Sequence, residues 1–286
     1  MADDTKERIF QWLGNFTTSA EAPDKYLPIF KNKKIFEVLS KEKIQRVLII
    51  GGGTCKSEQK ILKTLKFKNL SLFSCDVVKP KVYETEVVKT ITWIEGKISE
   101  DEVFKFSHKF DILICLATSR YFKNPFNLLT NLRKHLKKNA VIIFDFYYLP
   151  PVRQKAVNVM NNWLLSEWKK DEKNAQKKLL TLSFISKELA RLAKNSKIVV
   201  KDQISELGIF KGESNIQSII YESIFPFWSR ENASLKKVSA LLTWQFLSIG
   251  NNTSKMKITN YSKKNHIKIV SLEQISKDTN ILIGLN

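Results

Sequence analysis

Residues 46–66, RVLIIGGGTCKSEQKILKTLK, contain the pattern that decides the fold. The run at 46–50 is apolar without polar alternation and predicts a buried strand. The glycines at 51–53 follow it at once and predict a tight turn. Apolar residues then recur at helical spacing over 57–66, which predicts a helix. A strand, a glycine turn and a helix in this order begin a unit of parallel sheet.

The pattern repeats along the next 80 residues. An amphipathic helix is predicted at 124–139, with Pro125 in its first turn and basic residues at its end. Further buried strands are predicted at 70–78, 90–96, 110–117 and 140–148. Apolar strands separated by helices predict an α/β fold with a doubly wound, mostly parallel sheet covered on both faces.

Three regions follow from the change in pattern. Residues 1–43 are predicted to form a helical N-terminal cap, 44–204 the core, and 205–286 a C-terminal extension that completes the sheet or forms a separate module. In the cap we expect helices at 5–15 and 33–42 joined by a polar, proline-containing linker. The other predicted elements are helices at 152–170 and 186–195, a strand at 197–202, and candidate elements at 218–225, 237–247, 266–275 and 279–285. The pattern leaves open the order of the strands in the extension.

Charge is the most unusual feature of the composition. The chain has 48 Lys+Arg against 28 Asp+Glu, a formal charge of +20, and 151–200 is rich in lysine. Clustered cations favour RNA or another polyanion as a partner, because binding releases counterions. Lysine is also the usual solubilising surface residue, and it outnumbers arginine here. The charge therefore fits a polyanion site and an ordinary basic surface equally well.

The sequence disfavours a metal-binding, a secreted and a membrane-spanning protein. The three cysteines have no CxxC spacing, and with three histidines they predict no metal site. The N-terminus is acidic and polar, unlike a secretory signal, and no apolar run reaches the length of a membrane span. We expect an intracellular protein in the cytoplasm, with the nucleus as the other compatible compartment. The oligomeric state is not indicated.

The glycine turn and Asp76 together favour a ligand. In a doubly wound sheet, ligands bind outside the carboxyl ends of the strands, and glycines there let the backbone approach them closely. Asp76 ends the second predicted strand, where a carboxylate can bond the two ribose hydroxyls of an adenosine. Taken separately, the glycines could be an ordinary turn and Asp76 a solvated strand end.

These residues resemble the class I S-adenosylmethionine-dependent methyltransferases over about 44–150, and most nearly the histamine N-methyltransferase group. The likeness rests on five stretches. They are Ile50-Gly51-Gly52-Gly53, Asp76 with Pro80, Thr92-Trp93 with Ser99-Glu100, Phe110-Asp111-Ile112, and Tyr121-Phe122-Lys123. The resemblance implies S-adenosyl-L-methionine as the cofactor. It also implies cofactor contacts from Gly51, Gly52 and Gly53 (methionine part), Asp76 (ribose), Ser99 (adenine edge), and Leu116 and Ala117.

Three positions depart from the usual pattern of that family. Ile49 stands where an acid two residues before the first glycine is common, and Cys55 replaces the third glycine of G-x-G-x-G. Gly96-Lys97 replaces the acid that commonly follows the third strand. These departures leave room for a methyltransferase-like fold that does not catalyse.

The substrate side is expected to lie at the loops after the fourth and fifth strands. In the segment 145–151, Asp145 and Tyr147 are the catalytic candidates, because aromatics beside a carboxylate can stack a planar base or hold an amine and accept its proton. Arg120, Tyr121 and Tyr148 are the substrate-binding candidates. The alternative is that these aromatics are core residues and that the proline pair only ends the strand.

Three functions remain compatible with these patterns: methyl transfer to RNA or another polyanion, methyl transfer to a small amine, and a non-catalytic binding or scaffold role. A polyanion enzyme would place Arg120, Lys123 and Arg153 along the cleft. A small-molecule enzyme would close the cleft with Tyr121, Tyr147 and the N-terminal helices.

Overall fold

The computed structural model describes residues 5–14, 23–39, 44–95, 106–148, 151–179, 247, 253–276 and 279–286. The chain divides into two compact units. One comprises residues 1–17 and 150–249, and the other comprises residues 18–149 and 250–286.

The larger unit is built on a seven-stranded sheet in the order β3-β2-β1-β4-β5-β7-β6. The strands are β1 (Arg46–Ile50), β2 (Leu70–Asp76), β3 (Val88–Glu95), β4 (Phe110–Cys115), β5 (Leu136–Tyr147), β6 (Lys268–Ser276) and β7 (Thr279–Leu285). The first five strands are parallel, and β7 runs antiparallel to both of its neighbours. The predicted doubly wound, mostly parallel sheet is therefore confirmed.

Helices cover both faces of this sheet. They are α2 (Pro23–Phe30), α3 (Lys33–Leu39), α4 (Lys56–Thr64), α5 (Pro125–Arg133) and α8 (Lys255–Lys264). Val47 and Ile49 of β1 join the core on the side of α2, α3 and α4, whereas Leu48 and Ile50 join the core on the side of α5 and α8. Because successive strand residues point to opposite faces, a central strand must be apolar at every position.

The smaller unit is helical where the structure describes it, with α1 (Thr5–Gly14), α6 (Pro151–Lys170) and α7 (Glu172–Leu179). Trp12 packs edge-on against the buried Trp168, with ring centroids 5.3 Å apart. Arg8 donates to the Glu172 carboxylate at 2.7 Å. Both side chains are well exposed, so among these two contacts the tryptophan packing should contribute more to stability than the ion pair.

Two predictions about local structure are wrong. The supposed linker between the first two helices contains α2, whose Tyr26, Ile29 and Phe30 are buried in the sheet unit. The helix predicted at 124–139 ends at Arg133, and residues 136–139 belong to β5. The reason is tertiary: Leu136 pairs with Phe110, and Asn139 donates to the carbonyl of Asn286 at the end of β7.

Other predictions have different outcomes. The last two candidate elements, at 266–275 and 279–285, are strands β6 and β7 on one side of the sheet. The elements predicted at 186–195, 197–202, 218–225 and, apart from Leu247, 237–247 lie outside the described residues, and the three region boundaries stay predictions. Within the ranges that the structure describes, none of the helices is long and apolar enough to cross a membrane.

Candidate functional site

The candidate site lies where the chain reverses its direction of winding. The neighbours β1 and β4 lie at the centre of the sheet, and the strands that follow them, β2 and β5, are added on opposite sides. In doubly wound sheets the loops that leave the carboxyl ends of two such strands border the crevice where ligands bind. The glycine turn 51–53 forms the first loop, and residues 116–118 form the second.

Two buried carboxylates fix these two loops in the same way. Asp76, the last residue of β2, accepts the backbone N–H of Gly53 at 2.6 Å. Asp145, near the end of β5, accepts the backbone N–H of Ala117 at 2.6 Å. Each outer strand thus uses a carboxylate to hold the loop that follows its inner neighbour. Hydrogen bonds to a charged acceptor are about twice as strong as neutral ones, so these two contacts set the shape of the crevice.

Thr118 joins the two loops directly. Its hydroxyl lies 2.9 Å from the carbonyl oxygen of Gly51 and 3.0 Å from that of Leu116. Gly51 has φ +64°, and a Cβ added there would come within 2.2 Å of the Thr118 side chain. The first glycine is therefore required by backbone conformation and by the close approach of Thr118.

Further backbone hydrogen bonds hold the glycine turn. The N–H of Gly51 donates to the carbonyl of Cys75 at 3.0 Å, and the N–H of Cys55 donates to that of Gly52 at 2.8 Å. Cys55 itself has φ +62°, a left-handed conformation that glycine adopts without strain. Cys55 stands where the methyltransferase pattern it resembles has a glycine, and its backbone has the conformation that a glycine there would adopt.

Asp76 has the surroundings of a ligand-binding carboxylate. Its Oδ1 accepts the N–H of Val78 at 2.9 Å, and the indole of Trp93 donates to its backbone carbonyl at 2.9 Å. Burial raises the pKa of Asp76, although the N–H groups of Val78 and Gly53 lower it in part. The backbone N–H of Val77 also lowers the pKa of Asp76. Since a carboxylate has about four acceptor positions, Asp76 retains capacity for at least one further donor.

Tyr26 is a site residue that the sequence analysis missed. It lies on α2, is 3% exposed, and donates its hydroxyl to Oδ2 of Asp145 at 2.9 Å. Burial, together with the charge of Asp145, raises the pKa of Tyr26 well above its usual value, so the hydroxyl stays a donor. The apolar run at 26–30 was a signal for a buried helix, but Pro28 favoured the linker interpretation.

Glu58 is the second residue that was missed. It lies in the first turn of α4, where an acid is common because it complements the helix dipole. Here, however, the side chain is 1% exposed. Burial raises the pKa of Glu58 to about 8, and the charges of Asp76 and Asp145 add to the rise. The side chain is therefore mostly a neutral acid at pH 7.

The substrate-binding candidates lie on the loop after β4 and at the end of β5. The Arg120 guanidinium lies over the ring of Tyr147, 4.4 Å from its centroid, within the range of a cation–π contact. Burial raises the pKa of Tyr121 to about 12, so its hydroxyl is neutral at physiological pH. Tyr148 follows Tyr147 and is half-buried.

The structure thus brings most of the predicted site residues to one edge of the sheet. Those on the loops and strand ends of this edge are Gly51, Gly52, Gly53, Asp76, Leu116, Ala117, Arg120, Tyr121, Asp145, Tyr147 and Tyr148. Ser99 lies outside the described residues. The assigned roles of all these side chains stay predictions.

Comparison with known proteins gives likeness of fold only. No model of a protein family matches the chain, and no curated protein does. Magnesium protoporphyrin IX methyltransferase (ChlM) from Synechocystis PCC 6803 is a similar solved structure, with 10% identity, coverage of 92% of this chain and 84% of that one, and a TM-score of 0.42. The N-methyltransferase NodS from Bradyrhizobium japonicum WM9 has 11% identity, coverage of 90% and 93%, and a TM-score of 0.39.

PKMT2 from Rickettsia typhi is a third similar structure, with 11% identity and a TM-score of 0.45. The match covers 89% of this chain but only 53% of PKMT2, so this chain spans about half of that protein. TM-scores this low carry no functional weight.

The contact between Gly51 and Thr118 makes a prediction about stability. Gly51→Ala should destabilise the protein through left-handed backbone strain of about 1–2 kcal/mol and, in addition, through overlap with Thr118. In a Thr118→Gly background the three close atoms Oγ1, Cγ2 and Cβ of Thr118 are all removed, so the same substitution should cost mainly the backbone strain. Urea unfolding of the wild type, the two single variants and the double variant measures both costs. An equal cost of Gly51→Ala in the two backgrounds would contradict the close approach.

Proposed function

We propose that the chain is an S-adenosyl-L-methionine-dependent methyltransferase that transfers the methyl group to a nitrogen of a small amine. The observation that carries the proposal is Asp76: a buried carboxylate at the end of β2, bonded to the glycine turn, at the point where this fold binds ligands. The sequence resemblance to class I methyltransferases supports the same cofactor.

The residues at this edge have the chemical groups that this cofactor requires. Asp76 has acceptor capacity left for a ribose hydroxyl. Gly51, Gly53 and Cys55 all have left-handed backbone conformations. The two glycines have no side chain that could block the turn, and the Cys55 side chain is fully buried. The acids Asp76 and Asp145 also give the crevice a negative field, which suits a ligand with a positive sulfur and a positive ammonium group.

The chemistry asked of the protein is modest. The bound cofactor would supply a methyl group on a cationic sulfur. The chain's own residues then have to orient the acceptor and exclude water, so no nucleophile or triad is needed. In the proposal Asp145 and Tyr147 hold the amine, with Asp145 accepting the proton that the amine loses. The acceptor is contacted on its other side by Arg120, Tyr121 and Tyr148.

The small-amine acceptor is favoured over RNA by the surroundings of the crevice. Tyr26 of α2 reaches Asp145, and Tyr147 is 6% exposed, so aromatic side chains close this side as a small-molecule enzyme requires. Exposed lysines lie at both edges of the sheet. Those where strands begin are Lys68, Lys109, Lys134, Lys137, Lys138 and Lys268, and those after the carboxyl ends of β2 and β4 are Lys79, Lys81 and Lys123. A polyanion held by the first, larger group would be remote from the crevice.

The ribose assignment predicts the effect of Asp76→Asn on ligand binding. The wild type should bind S-adenosyl-L-homocysteine and adenosine, and the variant should lose about 1.5–3 kcal/mol for each. Removal of the ribose hydroxyls, in 2′,3′-dideoxyadenosine, should weaken binding to the wild type but make little difference to the variant. Isothermal titration calorimetry with the three ligands measures this coupling.

Asp111→Asn is the matched control. Asp111 is as buried as Asp76, at 8% exposure, and it also accepts two backbone N–H groups, those of Gln45 and Arg46, but it lies at the amino end of β4. It should cost comparable stability and leave ligand affinity unchanged. Equal weakening of adenosine and its dideoxy analogue by Asp76→Asn would exclude the ribose contact.

The acceptor proposal predicts which molecules receive the methyl group. With methyl-labelled S-adenosyl-L-methionine, label should enter small aryl-ethyl or alkyl amines and not RNA. Asp145→Asn should lower kcat/KM for the amine about a hundredfold or more, the usual range for a lost general base. The control pair Lys109→Glu and Lys138→Glu should leave that rate unchanged. Label in RNA that vanishes with added salt and with the lysine variants would overturn the small-amine acceptor in favour of a polyanion.

A further inference from the structure

We propose that Glu58 binds the α-ammonium group of the cofactor's methionine part, a role that the apolar Ile49 cannot fill. This inference rests on the proposed function, because it names the residue that completes the same site. The argument depends on the position of Glu58, on its missing partner and on the charges around it.

The position of Glu58 places its carboxyl beside the glycine turn. A Cβ added at Gly52 would lie 3.5 Å from Cδ of Glu58 and 2.5 Å from Cγ2 of Ile49. The two side chains therefore lie against the same glycine. Ile49 offers only methyl groups there, whereas Glu58 brings a carboxyl to this point from the first turn of α4.

The missing partner indicates a role in binding. Glu58 is 1% exposed, and its Oε2 has no hydrogen-bond partner among the residues that the structure describes. A buried polar atom without a partner costs free energy, and it is rare in folded proteins unless a ligand or water completes it. An ammonium group, with three donors and a positive charge, satisfies such an oxygen best.

The neighbouring charges select a cation as the missing group. Burial raises the pKa of Glu58 to about 8, and the nearby carboxyls of Asp76 and Asp145 add to the rise. Glu58 is therefore mostly protonated at pH 7, and an arriving ammonium group would ionise it. Binding should then release one proton from Glu58 to the solvent, since the ammonium group keeps its own.

The experiment compares two ligands and two variants. S-Adenosyl-L-homocysteine carries the α-ammonium group, and 5′-methylthioadenosine lacks the whole aminoacyl part. Glu58→Gln should weaken the first about ten- to a hundredfold and leave the second within about twofold. Glu86→Gln, which removes an exposed carboxyl before β3, should change neither. Calorimetry of the wild type at pH 7, in buffers of different ionisation enthalpy, should show release of nearly one proton with the first ligand and none with the second.

The outcomes separate the two proposals. If the wild type binds both ligands and Glu58→Gln weakens neither, or weakens both equally, the ammonium assignment is wrong while the methyltransferase proposal stands. If the wild type releases a proton on binding S-adenosyl-L-homocysteine and Glu58→Gln releases the same amount, the assignment is again wrong, because the variant has no carboxyl at this position to ionise. If the wild type binds neither ligand, the proposed function fails and the role of Glu58 fails with it.

Discussion

Two hydrogen bonds between buried carboxylates and backbone amides fix the two loops at the carboxyl edge of this sheet. Asp76 holds Gly53 and Asp145 holds Ala117, each at 2.6 Å. The strands set the positions of the carboxylates, the carboxylates set the loops, and Thr118 then bonds one loop to the other. Because the crevice of a doubly wound sheet lies between these loops, its shape depends on a few charge-assisted contacts that the sheet itself makes rigid.

Buried acids are the second feature of this edge. Asp76 and Asp145 each accept N–H or O–H donors at close range, which compensates for part of the cost of burial. Burial raises the pKa of Glu58 to about 8, and its Oε2 has no hydrogen-bond partner among the described residues. Glu58 is therefore mostly neutral at pH 7 and would ionise beside a cation. A cationic ligand is the natural complement to this arrangement.

The central part of the fold was predictable because its signals are local. The apolar run 46–50, the glycines after it and Asp76 each fall where the sheet needs them, and periodicity is enough to find them. Residues 136–139 were misassigned because their strand conformation depends on pairing with β4 and β7, which no local pattern records. Tyr26 was missed because Pro28 suggested a linker, and the helix around it is stabilised by burial against the sheet.

Glu58 could not have been recognised from sequence, since an acid in the first turn of a helix is usually a solvated capping charge, and only the structure reveals its burial.

The most direct test of the proposed cofactor site is a map of backbone amide shifts by NMR as S-adenosyl-L-homocysteine is added. The account predicts the largest changes at Gly51 to Gly53, Asp76 and Ala117, with Lys109 and Lys138 at the opposite edge unaffected. Changes confined to that opposite edge, or none at millimolar ligand, would contradict it.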